Sequence, residues 1–265
     1  MLDSHIHIGQ FYEEYYDFDK IFDIIFDSGE VDKIVYSSTS SCIPDIKYEF
    51  VRNEIEAALK KYPADIATPL FWIVPDYINQ GIVITATMND LNYGGFKLHP
   101  FGNEWNFEND TGQCEILHEV FDYADKRGMP ILIHTGESGV DSPGRFERFF
   151  GEYKNAKIIL AHCRPADETI KIMQKYPNVL GDTAFAPKER IENVKNAGFA
   201  GRLIFGTDFP ITHYFCGRNY GVPLREQYKR DLSLKSPEKM VCNSLKPNPP
   251  KPCCQSEKKN VIIIQ

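Results

Sequence analysis

Near the N-terminus the run Asp3-Ser4-His5-Ile6-His7 sets an acid and two imidazoles on alternate residues. On a strand, residues i and i+2 share a face, so His5 and His7 project together. Asp3 is then expected beneath them, with Ile6 and Ile8 on the other side. If the shared face is a closed interior, two unpaired imidazoles there are costly. A metal ion resolves that cost, because neutral imidazole is a common ligand. For this pair alone, hydrogen bonding in a polar core or exposure at the terminus is the competing reading. Further along, aliphatic runs turn abruptly polar: "ILIHTGE" at His134, "IILAHCRP" at His162 and "LIFGTDFP" at Asp208. "GGFKLHP" places Lys97 and His99 on one strand face and Leu98 on the other. Singly, each of these could cap a helix or satisfy a structural need. Their recurrence at the ends of apolar runs points to one shared site.

Elements must carry those residues to a common place. β-rich runs recur at 2–8, 33–37, 67–74, 94–98, 130–134, 157–162, 179–183 and 202–207. Between them, 18–27 and 49–61 space apolar residues at helical intervals, the second stopping at Pro63. Residues 115–126 end at Gly128, and 166–175 lie between Pro165 and Pro177. Strands alternating with helices predict parallel pairing with right-handed crossovers. Eight such units in about 250 residues fit an α/β chain folded as a single (β/α)8 TIM barrel over 1–245. A doubly wound open sheet is the second choice, but no glycine-rich dinucleotide fingerprint supports it. In a barrel, His134, His162 and Asp208 fall at the C-terminal rim, where chemistry is found.

Composition narrows the function classes. The 265 residues are 42% hydrophobic and 25% charged, as in an ordinary globular protein. A net charge of −7 without a Lys/Arg run argues against a nucleic-acid partner. No apolar run approaches a membrane span, and too few residues precede Asp3 for a signal peptide. Seven scattered cysteines, an odd count, fit reduced thiols and a cytoplasmic protein.

The set DSHIH, GFKLHP, ILIHTG, IILAHC and FGTDFP resembles the amidohydrolase superfamily over about residues 1–212. In particular it is similar to the small metal-dependent barrels that include aminocarboxymuconate-semialdehyde and resorcylate decarboxylases. The resemblance implies that His5, His7, His134 and Asp208 bind a divalent metal and that His162 is the rim acid/base. In dinuclear relatives the histidine equivalent to His162 binds a second metal, and a carboxylated lysine bridges the two. Lys97 is therefore open to three readings: a carboxylated bridge, an ammonium that neutralises a substrate carboxylate, or a structural ion-pair partner. One ion is expected, and two if Lys97 is carboxylated. Three imidazoles and a carboxylate suit zinc best, with Mn, Fe or Co able to occupy the same site.

Such a centre would acidify a water, with Asp208 taking its proton and His162 protonating or polarising the substrate. Arg164 is the best cation for a carboxylated substrate because of its bidentate fork, a salt bridge to a neighbouring loop being the competing reading, and Lys97 and His99 complete the expected substrate contacts. Asp182 and Asp3 are candidates to orient histidines, Asp182 being equally open to a helix-capping role. Cys163 should face away from His162 and serve packing. His118 reads as structural, and His213 as either pocket lining or surface. The segments "GQFYEEYYDF" and "FGNEWNFEND" are expected to shape the pocket mouth with aromatics. Hydrolysis of an amide, ester or lactone in a small substrate is the preferred reaction, with non-oxidative decarboxylation as the alternative. A metal-free lactonase and a non-catalytic metal- or ligand-binding barrel are further alternatives. Homo-oligomerisation is open. The Pro- and Lys-rich segment 246–265, with the Cys253-Cys254 pair, reads as an extended tail.

Overall fold

The computed structural model describes residues 1–136 and 138–233. Among the described residues nine strands form one sheet. They are β1 (Leu2–Phe11), β2 (Glu14–Tyr16), β3 (Lys33–Ser38), β4 (Ala67–Trp72), β5 (Gly95–Leu98), β6 (Pro130–Ile133), β7 (Lys157–Leu160), β8 (Val179–Asp182) and β9 (Leu203–Ile204). Their order is β2-β1-β3-β4-β5-β6-β7-β8-β9, parallel throughout except for the antiparallel β1–β2 hairpin. The outer edges meet beyond β9. The Ser4 amide donates to the Phe205 carbonyl at 3.0 Å, Asp208 to His5 at 2.8 Å and His7 to Phe209 at 2.8 Å. This closure makes the molecule a (β/α)8 barrel and excludes the open sheet.

The helices are α1 (Phe18–Phe26), α2 (Tyr48–Lys61), α3 (Pro75–Asn79), α4 (Ile84–Asp90), α5 (Thr111–Arg127), α6 (Glu147–Glu152), α7 (Ala166–Lys175), α8 (Lys188–Val194) and α9 (Leu224–Leu232). α1 forms because the Asp17 carboxylate accepts from the amides of Asp19 and Lys20, while Ile21, Phe22, Ile24 and Ile25 bury one stripe. α5 is capped by Asp110 and ends at Gly128, whose φ of +63° is left-handed. The periodic helices appear as expected. α3, α4, α6 and α8 were not foreseen: they are short, none has a side-chain cap, and α4 is rich in β-branched residues. There the need for a crossover between parallel strands overrides local propensity.

One expectation fails at β1. Asp3 pairs with Ile34 but Ile6 with Tyr36, so β1 carries one extra residue between them. This bulge puts Asp3 on the outer face shared with Ile6 and not beneath the histidines. There it accepts from the Tyr228 hydroxyl of α9 at 3.1 Å. Trp105 and Phe107 also depart from expectation, because both are buried in the core and only Phe101 of that segment reaches the cavity. Cys42, Cys114 and Cys163 form no disulfide, whereas Cys216 is disulfide-bonded, contrary to the all-reduced expectation. Among the described residues no helix is long and apolar enough to cross a membrane. The tail at 246–265 lies outside the described residues.

α9 secures the last barrel loop through Asp231, which accepts from Thr212 Oγ1 at 2.6 Å and from Gln227 Nε2 at 2.7 Å. Burial outweighs these bonds and pushes its carboxyl up to about 8 from 3.8. The folded state therefore favours the protonated acid. That stabilisation is complete below the ordinary carboxylate range and is lost as pH rises through about 8. Thermal unfolding should accordingly occur at lower temperature at pH 9 than at pH 5, and Asp231→Asn should flatten that fall. Identical pH slopes for the two proteins would refute the assignment.

Candidate metal centre

The strands end just below the residues of interest. His134, His162 and Asp208 each follow their strand by a few residues, and with His7 they line one cavity of about 470 Å³ at the barrel rim. His5 lies beneath, almost fully buried. His5 Nε2 is 3.1 Å from His7 Nε2, and Asp208 Oδ1 is 3.4 Å from the first and 3.0 Å from the second. Two donors about 2.1 Å from one ion at a tetrahedral angle would lie roughly 3.4 Å apart. These three atoms therefore have the mutual spacing of a coordination sphere.

The hydrogen-bond partners fix which nitrogen of each ring is bare. His5 Nδ1 lies 2.8 Å from Asp182 Oδ2, so it carries the proton. His7 Nδ1 faces the Ser37 carbonyl at 3.4 Å and the Ser37 hydroxyl at 3.2 Å. His162 Nδ1 donates to the Ala184 carbonyl at 2.7 Å. A carboxylate or carbonyl oxygen only accepts, so His5, His7 and His162 all leave Nε2 unprotonated. This outer-shell pattern is the one that prepares imidazoles for a cation. His99 has the opposite arrangement: its Nδ1 accepts from the Gly102 amide at 3.0 Å.

Burial disfavours every charged imidazole here. It holds His5, His99 and His134 well below the usual histidine range and lowers His7 and His162 as well. For Asp208 burial acts upward, but His5, His7 and His162 outweigh it and keep the carboxyl well below its usual range. Neutral imidazoles beside an ionised carboxylate are the protonation states that ligands need.

Each remaining expected residue has a definite place. His134 lines the cavity with its Nδ1 3.1 Å from His162 Nε2, and its ring stacks on His99 at 3.9 Å. Its nitrogens group with those of His99 and Asp141, apart from the His5–His7–Asp208 cluster. Lys97 is buried with Nζ 3.1 Å from His5 Nε2, and burial brings its ammonium down to about 8. Arg164 lines the cavity and donates from Nε to the Thr135 carbonyl at 3.2 Å. Among the described residues its terminal amines meet no carboxylate. Asp182 does more than expected: while Oδ2 holds His5, Oδ1 accepts from the His162 amide at 2.7 Å and from Ala184 at 3.1 Å. Cys163 is buried, donates to the Asp182 carbonyl and packs as expected. His118 bonds Tyr153 on the outside of the barrel, and His213 donates to the Val222 carbonyl away from the cavity.

Sequence reading missed several wall residues. Trp72 stacks on His99 at 5.8 Å, and Phe185 and Phe215 close the mouth with Phe11 and Tyr12. Trp72 ends an apolar strand in the same way as the histidine motifs do, which was the available signal. Gly206 is the tightest point behind His5, because a Cβ there would lie 2.8 Å from His5 Cβ. Gly206→Ala should therefore displace β1 at His5 and lower the metal bound per chain, measured by elemental analysis. Full metal content in that variant would show that the contact does not constrain the ligand.

A family model described as amidohydrolase matches residues 48–241, a span that holds Lys97, His134, His162, Asp182 and Asp208 and follows His5 and His7. No curated protein matches the chain in sequence. Among solved structures, an uncharacterised TIM-barrel protein from Bordetella bronchiseptica is similar at 16% identity, covering 92% of this chain and 93% of that one with a TM-score of 0.62. An amidohydrolase from Burkholderia multivorans with bound zinc is similar at 11%, over 89% and 92%, with a TM-score of 0.60. 2,6-Dihydroxybenzoate decarboxylase from Rhizobium is similar at 14%, over 91% and 93%, with a TM-score of 0.54. At such identities the structures speak for the barrel, while the family model covers most of the chain. The chain belongs to the amidohydrolase family and is an enzyme of its amidohydrolase-2 type.

Proposed function

We propose that this enzyme is a metal-dependent hydrolase acting on an amide, ester or lactone bond of a small carboxylated substrate. The observation that carries the reading is the convergence of His5 Nε2, His7 Nε2 and Asp208 Oδ1 within 3.0–3.4 Å at the base of the cavity. His5, His7 and Asp208 would hold the ion; His134, grouped in this structure with His99 and Asp141, would have to turn toward them to serve as the fourth donor. A divalent cation there, zinc by preference with Mn, Fe or Co as substitutes, would supply Lewis acidity and bring the pKa of water at the site toward neutrality. Asp208, ionised throughout the neutral range, is placed to take the proton of the attacking water. His162, with Nδ1 committed to Ala184 and its unprotonated Nε2 3.1 Å from His134 Nδ1, would polarise the substrate or, once it has taken up the proton released by the water, return that proton to the leaving group. Arg164, with no carboxylate partner among the described residues, is the cation for a substrate carboxylate. Lys97 and His99 line the same cavity.

Non-oxidative decarboxylation is the second reading. Phe11, Tyr12, Trp72, Phe101, Phe185 and Phe215 give the cavity, which Arg164 also lines, flat aromatic walls that suit an aromatic or unsaturated acid. The likeness to 2,6-dihydroxybenzoate decarboxylase supports it. A panel of lactones, esters, amides and unsaturated or aromatic acids separates the two: acid release without carbon dioxide supports hydrolysis, and carbon dioxide evolution supports the second reading.

His134→Ala should strip most of the bound metal, and unchanged metal content would remove it from the ligand set. His162→Asn should retain about one metal per chain while turnover is lost, by roughly a hundredfold or more. Loss of a second equivalent in that variant would instead reveal a two-ion centre with Lys97 as its bridge. Arg164→Ala should raise KM for carboxylated substrates about tenfold or more, since a charged hydrogen bond contributes about 1.5–3 kcal/mol. An unaltered KM would free Arg164 from that role.

A further inference from the structure

Asp208 has a φ of +61°, a left-handed conformation that a non-glycine residue keeps only where its surroundings hold it. The surrounding bonds show what holds it. Its own amide donates to the His5 carbonyl and its carbonyl accepts from Ile211, both at 2.8 Å. The preceding residue, Thr207, is gripped twice by one carboxylate: its amide donates to Asp3 Oδ1 at 3.1 Å and its hydroxyl to Asp3 Oδ2 at 2.8 Å. The same hydroxyl accepts from the Phe209 amide at 3.2 Å and so spans Asp208 from one side to the other. Asp3 itself is fully buried on the outer face of β1, two residues before His5, and the His5 amide reaches its Oδ1 at 3.4 Å.

We propose that Asp3 is a positioning residue for Asp208: by gripping Thr207 it fixes the backbone turn that aims Asp208 Oδ1 at His5 and His7. This rests on the reading of His5, His7 and Asp208 as a cation site. Asp3 thus ties the two ligand-bearing segments together at the seam where the barrel closes, although it touches neither the ion nor the substrate. A purely structural seam would behave differently. Asp3 also accepts from the Tyr228 hydroxyl of α9, a bond that braces the helix but bypasses Thr207.

Cobalt(II) is a suitable probe, titrated into the metal-stripped full chain with affinity and the visible d–d spectrum as readouts. Thr207→Val, which keeps the amide and loses the hydroxyl, should weaken cobalt binding about tenfold to a hundredfold and shift the d–d band. Thr207→Ser should restore both to within about threefold of the parent, as expected for an outer-shell partner. Asp3→Ala should act like Thr207→Val, and if it does not fold the Thr207 pair decides. Tyr228→Phe should lower the melting temperature yet leave affinity and spectrum unchanged. The proposal is overturned if Thr207→Val binds cobalt as the parent does, or if Tyr228→Phe weakens binding equally. A parent protein that binds no cobalt would overturn the cation site itself, an outcome plainly distinct from either.

Discussion

Everything at the rim depends on imidazoles whose Nδ1 protons are already spent. Asp182, the Ser37 carbonyl and the Ala184 carbonyl commit those protons, so His5, His7 and His162 turn lone pairs inward. Two such lone pairs 3.1 Å apart, beside a carboxylate oxygen, repel unless something positive lies among them. The Lys97 ammonium at 3.1 Å from His5 supplies one positive charge. A divalent cation would supply two and satisfy all three donors together. The placement of the acceptors, made by strands β3 and β8 and the loop after β8, is therefore what prepares the centre.

The barrel makes that placement affordable. Its strands present consecutive rim positions to one enclosed space, and desolvation there keeps the imidazoles neutral without neutralising Asp208. Asp182 is the most economical part of the arrangement. One carboxylate orients the ring of His5 and holds the backbone of His162, which has a left-handed φ of +66°. His5 on the first strand and His162 after the seventh are thus referred to the same side chain. Burial pushes the Asp182 carboxyl up to about 6, so the two bonds must work against desolvation to keep it ionised.

How much of this was legible follows from what each signal depends on. Aliphatic runs that turn polar mark strand ends wherever they occur, so the eight barrel strands and His5, His7, His134, His162 and Asp208 could be found from one dimension. The face assignment at Asp3 failed because alternation assumes an unbroken pleat, and a bulge is invisible in residue types. α4 was missed because its β-branched residues speak against the helix that the crossover imposes. The double role of Asp182 and the stack of Trp72, His99 and His134 depend on distances between segments far apart in sequence. His134 shows the same limit: its motif marks the rim, but which nitrogens it keeps company with is a matter of packing.

The hairpin formed by β1 and β2 carries a last implication. The strand that supplies His5 and His7 runs on to Phe11, with Tyr12 in the turn just after it; both line the cavity, and Tyr12 stacks on Tyr214 at 5.4 Å. Gly9 sits at the junction with a φ of +87°, and a Cβ there would fall 2.5 Å from Ser38 Oγ. Selectivity for what enters and affinity for the proposed ion would thereby be written on one stretch of backbone. Attempts to broaden the range of accepted molecules would best confine diversity to the tip beyond Gly9, where side chains can be exchanged without tugging on the inner end.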